Sequence, residues 1–380
     1  MIDPQALKLH IISSDVPFPP DYGGMVDVFY KIKCLKEAGV KLYLHCFEYG
    51  RGRPSEMEDL CEKVFYYKRK TGLRGISINK PYMMASRSSS ALLENLIAID
   101  APILYEGIHT IYYLDHPSLA SRFKIIRNQN VEQDYYQRLA DREAPGFAKL
   151  YYQIESRLLR KQEAQLHAAD AFFTVAEHDH AFFEEMYPGK IHEYIPSFHP
   201  YNTIQIQAGT GGYLLYHGNL SHPENVEAAL FLLKEVAPHI NYPFIFAGKN
   251  PDEKLRKYCD ILPHCTLKEN PDMATMEQLI AGAQVNVLPT FQPTGLKLKL
   301  LHALFIGRHV LVNNDMVKGT GLASACRIAK NAGDFIKQIK AAMAQPFEQT
   351  DILQRNRILL QRYNNIANAQ RIIACLQNNQ

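Results

Sequence analysis

Residues 289–314 read PTFQPTGLKLKLLHALFIGRHVLVNN. The apolar run Val285–Leu288 leads into this stretch and ends in proline, and the polar turn that follows holds Thr294 and Gly295. A basic, leucine-rich segment comes next, closed by Gly307, and then a second apolar run, His309–Val312. Strand, turn, helix and strand in this order make a βαβ unit, and in open α/β sheets ligands sit at the turn. Lys297 and Lys299 open the helix, so the ligand expected there is an anion.

A chain of 380 residues is too long for one hydrophobic core and predicts two domains. Its composition, 47% hydrophobic and 21% charged, is that of a soluble globular protein rather than a disordered one. The net charge of +3 comes from dispersed basic residues, with no concentrated stripe, which argues against nucleic acid as a partner. Seven cysteines (34, 46, 61, 259, 265, 326, 375) are odd in number and form no C-x-x-C pair. That usage predicts free thiols in a reducing compartment and disfavours structural zinc. No run approaches the roughly 20 apolar residues that span a bilayer, and the N-terminus has no signal-peptide core. A cytoplasmic protein is expected, with peripheral contact at the inner face of a membrane as a further expectation.

The alternation of strand and helix runs through both halves. Leu7–Ile12 reads as a buried strand, and the loop SSDVPFPPDYGG carries it into a helix over Met25–Ala38. Gly23 and Gly24 there let backbone approach a ligand closely, and the helix N-terminus favours negative charge. Lys41–Phe47 is the next strand, and Gly50–Ile78 reads as polar and irregular. Its basic segment KRKTGLRG is a solvated face, with contact to an anionic surface as the alternative. Strands follow at Ile103–Tyr105, Phe123–Arg127, Ala171–Val175 and Glu193–Ile195, with helices around Gly146–Ala168 and from Glu177. His178 and His180 look like a metal pair, but spaced i, i+2 on a helix they point apart and read as surface residues.

Pro196–Gly212 lacks apolar periodicity and reads as the interdomain linker. Beyond it, strands are expected at Tyr213–Tyr216, Phe244–Ala247 and Cys265–Leu267, ahead of the opening βαβ unit. Helices are expected at Val226–Val236, Glu253–Cys259, Met273–Ala281, Asp334–Ala344, Asp351–Tyr363 and Asn365–Leu376. The predicted architecture is α/β, with two Rossmann-like domains of parallel strands facing across a cleft.

Several segments together resemble the family-4-like sugar transferases of the GT-B fold. They are FPPDYGG, RNQNVEQDYYQRL, YHGNLSHPENVEAALFLL, FQPTGLKLKLLHAL and, after the next strand, MVKGTGL. The likeness runs from about residue 8 to 345 and includes the order and spacing of the segments. It implies an N-terminal acceptor domain (1–198) and a C-terminal nucleotide-sugar donor domain (199–363). A final helix (364–380) is expected to cross back onto the first domain.

The resemblance also implies retention of anomeric configuration and no requirement for a metal or cofactor, the donor being a UDP- or GDP-linked sugar. Without a bound cation, lysines, backbone amides and a helix N-terminus must stabilise the departing diphosphate. On a regular helix Lys297 and Lys299 point about 200° apart, whereas Gly295, Lys299 and His302 share a face. Lys299 is therefore the stronger candidate, and Lys297 contributes from the first turn.

The sequence departs from the family at two places. Family members commonly carry two glutamates eight positions apart in this region, where Thr294 and His302 stand here. A neutral imidazole can accept one hydrogen bond from a ribose hydroxyl where a carboxylate accepts two. Asn219 stands where the family approaches the donor's phosphates or sugar. Glu106, His109 and Glu132 follow strand ends in the first half and are the candidate catalytic contacts to the acceptor, beside Asn130; Glu132 could equally cap the following helix.

These readings predict a sugar transferase acting on a saccharide or lipid-linked acceptor in cell-surface polysaccharide synthesis. Two alternatives remain: a non-catalytic scaffold with a weakened donor site, and a nucleotide-sugar 2-epimerase sharing the fold.

Overall fold

The structure is a computed structural model that describes residues 7–128, 131–142, 145–292 and 297–379. The chain divides into two compact units, one of residues 1–200 with 365–380 and one of residues 201–364.

The first unit is built on seven parallel strands: β1 (Lys8–Ser13), β2 (Lys41–Glu48), β3 (Lys63–Lys68), β4 (Ile103–Glu106), β5 (Lys124–Asn128), β6 (Ala171–Thr174) and β7 (Ile191–Tyr194). Their order across the sheet is β3-β2-β1-β4-β5-β6-β7. β1 is buried on both faces from Leu9 to Ser13, which is why a central parallel strand shows a continuous apolar run instead of alternation. β3 falls inside the stretch expected to be irregular. It is an edge strand, KVFYYK, whose terminal lysines are exposed and whose inner residues alternate only partly, so its signal is weak.

The second unit holds β8 (Leu214–Asn219), β9 (Phe244–Lys249), β10 (Cys265–Glu269), β11 (Val285–Val287), β12 (His309–Val312) and β13 (Arg327–Ile328). These six strands are parallel in the order β10-β9-β8-β11-β12-β13. The two-residue edge strand β13 is too short to leave a sequence pattern. Pro196–Gly212 is no slack linker. Tyr201 and Ile206 are buried, Gln205 N donates to Phe305 O at 2.9 Å, and Gly209 bridges to Phe347.

The last helix, Asn365–Gln377, belongs to the first unit. Ala369, Ile372, Ile373, Cys375 and Leu376 join a core that includes Leu9, Ile11, Val28 and Ile32. Ile366, on the same helix, is exposed. Asn365 fixes the start of this helix: its Nδ2 donates to His199 O at 2.7 Å, and its Oδ1 accepts from His199 N at 3.3 Å. All seven cysteines are free thiols, as their spacing predicts. Among the described residues no helix is long and apolar enough to cross a membrane, and no group of three or more His, Cys, Asp or Glu is placed to hold a metal ion.

Candidate functional site

In the second unit the strand order reverses between β8 and β11, which lie side by side. The chain leaves β8 in one direction, to the helix Pro223–Phe231, and leaves β11 in the other, to the helix Leu298–Ile306. Loops that diverge from adjacent strand ends open a crevice there. The second helix is anchored by its apolar side, with Leu300, Leu301, Ala303, Leu304, Phe305 and Ile306 all buried. That anchoring fixes where its polar first turn stands.

Lys297 occupies the N-cap position of this helix and Lys299 is its second residue. Each lysine meets a neighbouring residue of the facing helix. Lys297 Nζ pairs with Glu224 Oε2 at 3.1 Å. Lys299 Nζ donates to Asn225 Oδ1 at 2.8 Å and lies 5.1 Å from the centroid of the Tyr216 ring. Burial lowers the Lys299 pKa to about 8; Glu224 opposes the shift and Lys297 adds to it. The two ammonium groups thus differ, Lys297 being compensated by a carboxylate and Lys299 held by a neutral amide and an aromatic face.

His302 lies one turn further on, its ring edge-on to Tyr201 with centroids 5.5 Å apart. His217, on β8, is 3% exposed and its Nε2 is buried with no hydrogen-bond partner among the described residues. Burial, then His302 and Lys299, hold His217 well below the usual imidazole range, so it is neutral. Thr294 and Gly295 lie outside the described residues, and the helix begins only at Leu298, so the face expected to run from Gly295 is described from Lys299 onward.

Asn219 ends β8, but its side chain is taken up by its own loop: Oδ1 accepts from Ser221 N at 3.1 Å and from Ser221 Oγ at 2.8 Å. This is the turn chemistry of a loop asparagine. The glycine-rich segment after β12 is also a built turn. Gly319 and Gly321 both have φ near +70° (69° and 68°), and a side chain at Gly321 would strike Arg362. The Tyr363 hydroxyl donates to Thr320 O at 2.8 Å and pins the turn between them.

In the first unit the order reverses between β1 and β4. Gly23 and Gly24 are the first two residues of the helix Gly23–Glu37 that follows β1, and the Tyr22 carbonyl accepts from Val26 N at 3.0 Å. Neither glycine has positive φ, so both serve the helix start rather than a left-handed turn. Glu106, expected to meet an acceptor, is placed in the interior of the first unit. It is 5% exposed, and its Oε1 is 2.6 Å from Lys31 Nζ in a sealed cluster with Asp27 and Arg127. Arg127 grips Asp27 through two 2.9 Å bonds, and Phe198 N donates to Asp27 at 2.7 Å. A carboxylate committed to a buried cation has no surface left for a substrate.

His109 sits in the kinked 3-10 segment Ile108–Tyr113 just beyond β4, partly buried. Burial, then Arg87 and Arg69, push its imidazole down to about 3, so it is neutral, can accept a hydrogen bond and is a poor proton acceptor. Glu132 is the first residue of the helix Glu132–Arg142, where a carboxylate complements the helix dipole. Asn130 lies outside the described residues. His180 is more enclosed than a surface residue, its Nδ1 3.2 Å from Thr174 Oγ1, while His178 remains exposed at 39% of its side chain.

Sequence reasoning missed Glu224, Asn225 and Tyr216. The first two lay within the quoted HGNLSHPEN segment, and the signal available was their place in the first turn of a helix following a strand of the same crevice.

No family model matches the chain. A 44.6 kDa protein in the cps region of Klebsiella pneumoniae is 23% identical over 333 residues, covering 83% of this chain and 84% of that one. Among solved structures, sucrose-phosphate synthase from Thermosynechococcus elongatus aligns with a TM-score of 0.70 at 14% identity, over 98% of each chain. Anabaena HepE in complex with UDP aligns at 0.67 with 11% identity, over 98% of this chain and 100% of that one. These likenesses span both units and show the GT-B fold that the sequence motifs implied.

Proposed function

We propose that the chain is a retaining, metal-independent glycosyltransferase. It moves a sugar from a UDP- or GDP-linked donor to a saccharide or lipid-linked acceptor in cell-surface polysaccharide synthesis, in the cytoplasm at the inner face of the membrane. The observation that carries the reading is the Lys299 ammonium, bonded to a neutral amide at the reversal point of the second sheet, with Lys297 beside it. The HepE complex with UDP supports a nucleoside diphosphate as the class of anion, and the relative in a cps region supports the polysaccharide setting.

The chemistry follows from where charge develops. As the bond from the anomeric carbon to the diphosphate oxygen breaks, the diphosphate gains negative charge, and a fixed ammonium in a partly dry site stabilises it. The acceptor hydroxyl oxygen bonds to the anomeric carbon on the face the diphosphate leaves. Its proton passes to the departing phosphate oxygen. No protein carboxylate has to act as base, which is compatible with Glu106 being locked onto Lys31.

Calorimetry with UDP, GDP and TDP tests the reading. Binding of one of them, with loss of about tenfold or more in Lys299→Met, is the expected result. No heat with any of the three rejects it. Incubating sugar nucleotides with and without saccharide acceptors then separates transfer, which releases nucleoside diphosphate, from epimerisation, which returns an altered donor. NMR of the product anomer reads retention.

A further inference from the structure

We propose that Asn225 is a positioning residue that keeps the Lys299 ammonium aimed at the donor's diphosphate, with an amide rather than a carboxylate bonded to it. The proposal rests on the reading of this crevice as a diphosphate site and assigns a role to a residue that does not itself touch the sugar.

Asn225 is 8% exposed and joins three parts of the crevice. Its Oδ1 accepts from Lys299 Nζ at 2.8 Å, across from the helix that follows β11. Its Nδ2 donates to the Asn219 carbonyl at 2.9 Å, at the very end of β8. Its own carbonyl accepts from the Tyr216 hydroxyl at 2.8 Å, in the middle of the same strand. The amide orientation is forced by these neighbours, because an ammonium only donates and a carbonyl only accepts. Space for the amide comes from Gly218: a side chain there would stand 3.3 Å from the Asn225 amide group. Gly218 is itself pressed against Gly248 of β9, where a side chain would meet the Gly218 carbonyl at 1.8 Å.

Only asparagine meets both demands at this position. Aspartate would accept from Lys299 but could not donate to the Asn219 carbonyl, and it would add a bonded carboxylate to the more distant charge of Glu224. Alanine would remove both bonds, leaving Lys299 with the Tyr216 hydroxyl at 3.5 Å and the Asn219 carbonyl with His222 N at 3.2 Å. The contrast is with Lys297, two residues earlier, which is paired with the Glu224 carboxylate in this same crevice. Lys299 titrates near 8 because burial dominates its surroundings, so its charge at neutral pH is sensitive to the group that faces it.

The experiment measures UDP and GDP affinity from pH 6.5 to 9.5 for wild type, Asn225→Asp and Asn225→Ala, with thermal melts as the control for folding. Wild-type affinity is expected to fall as pH rises through about 8. Asn225→Asp is expected to bind about tenfold more weakly at pH 7.5, with that fall moved upward by more than a pH unit, because the new carboxylate holds the proton on Lys299. Wild-type affinity and profile in Asn225→Asp would overturn the role of Asn225 and leave the site standing. Weakened binding with an unmoved pH profile would assign a merely structural role and overturn it too. Wild type binding neither nucleotide would overturn the reading of the crevice and this proposal together.

Discussion

Glu224 Oε2 lies 3.1 Å from Lys297 Nζ, and the next residue, Asn225, holds Lys299. Two adjacent residues of one helix thus partner two lysines at the start of another, and the carboxylate lowers the site's net positive charge by one. An anion entering the crevice meets Glu224 as well as the lysines. Removing that charge by Glu224→Gln is expected to tighten UDP binding about fivefold, or about 1 kcal/mol for partly solvated groups. Calorimetry at two salt concentrations measures it. Unchanged or weaker binding would show that Glu224 aims Lys297 rather than attenuating it.

His302 stands on the same helix as Lys299 and edge-on to Tyr201. In the family this chain resembles, a carboxylate at that position accepts from the ribose. His302→Glu is therefore expected to raise nucleotide affinity about fivefold through a second accepted hydrogen bond. The deoxyribonucleotide controls would not share the gain. Equal affinity for both variants would mean that position 302 faces away from the ribose.

Much of the fold could be read ahead because central parallel strands bury both faces and so appear as plain apolar runs: HIIS of β1 and HVLV of β12 are examples. β3 escaped because an edge strand is only half covered, and lysine at each end made KVFYYK resemble its polar surroundings. The lysines of the candidate site were visible because positive charge on a leucine-rich helix has no packing reason. Their partners were not, because Glu224 and Asn225 lie 73 and 74 residues away in sequence. Glu106 shows the same limit in reverse. A carboxylate after a strand looks available until the fold brings Lys31 against it.

That buried cluster carries its own prediction. Asp27, Lys31, Glu106 and Arg127 are each at most 5% exposed, and two positive groups balance two negative ones. Burial works to raise the Asp27 pKa, but Arg127 and Lys31 overcome it and hold the carboxyl below its usual range. Arg127→Met strands Asp27 in the interior and should cost about 3–5 kcal/mol in the unfolding of the first unit. Asp27→Leu combined with Arg127→Met should recover part of the loss. Urea unfolding that places the single variant at the wild-type midpoint would show that the cluster contributes nothing net.

A second buried relay makes the first unit sensitive to acid. His10 Nε2 is 3.0 Å from the Ile99 carbonyl, which only accepts, so the proton sits on that nitrogen. His10 Nδ1 must then accept from His45 Nε2 at 2.9 Å, and His45 Nδ1 from the Tyr67 hydroxyl at 2.8 Å, which in turn accepts from Asn95 Nδ2 at 3.0 Å. Every member is satisfied only while both imidazoles are neutral. Burial is the main force lowering His10 from 6.5 to about 4, with the Ile99 bond opposing it and Arg122 adding to it; burial and then His10 lower His45 further. Because the folded pKa is the depressed one, the unfolded chain binds more protons in this window. Stability is complete above about pH 6.5 and is lost as pH falls toward 4, by about 3 kcal/mol from His10 alone. Urea midpoints at pH 7.0, 5.5 and 4.5 should decline steeply in wild type and less so in His10→Gln, whose side chain does not titrate. Parallel declines in the two proteins would place the acid sensitivity elsewhere.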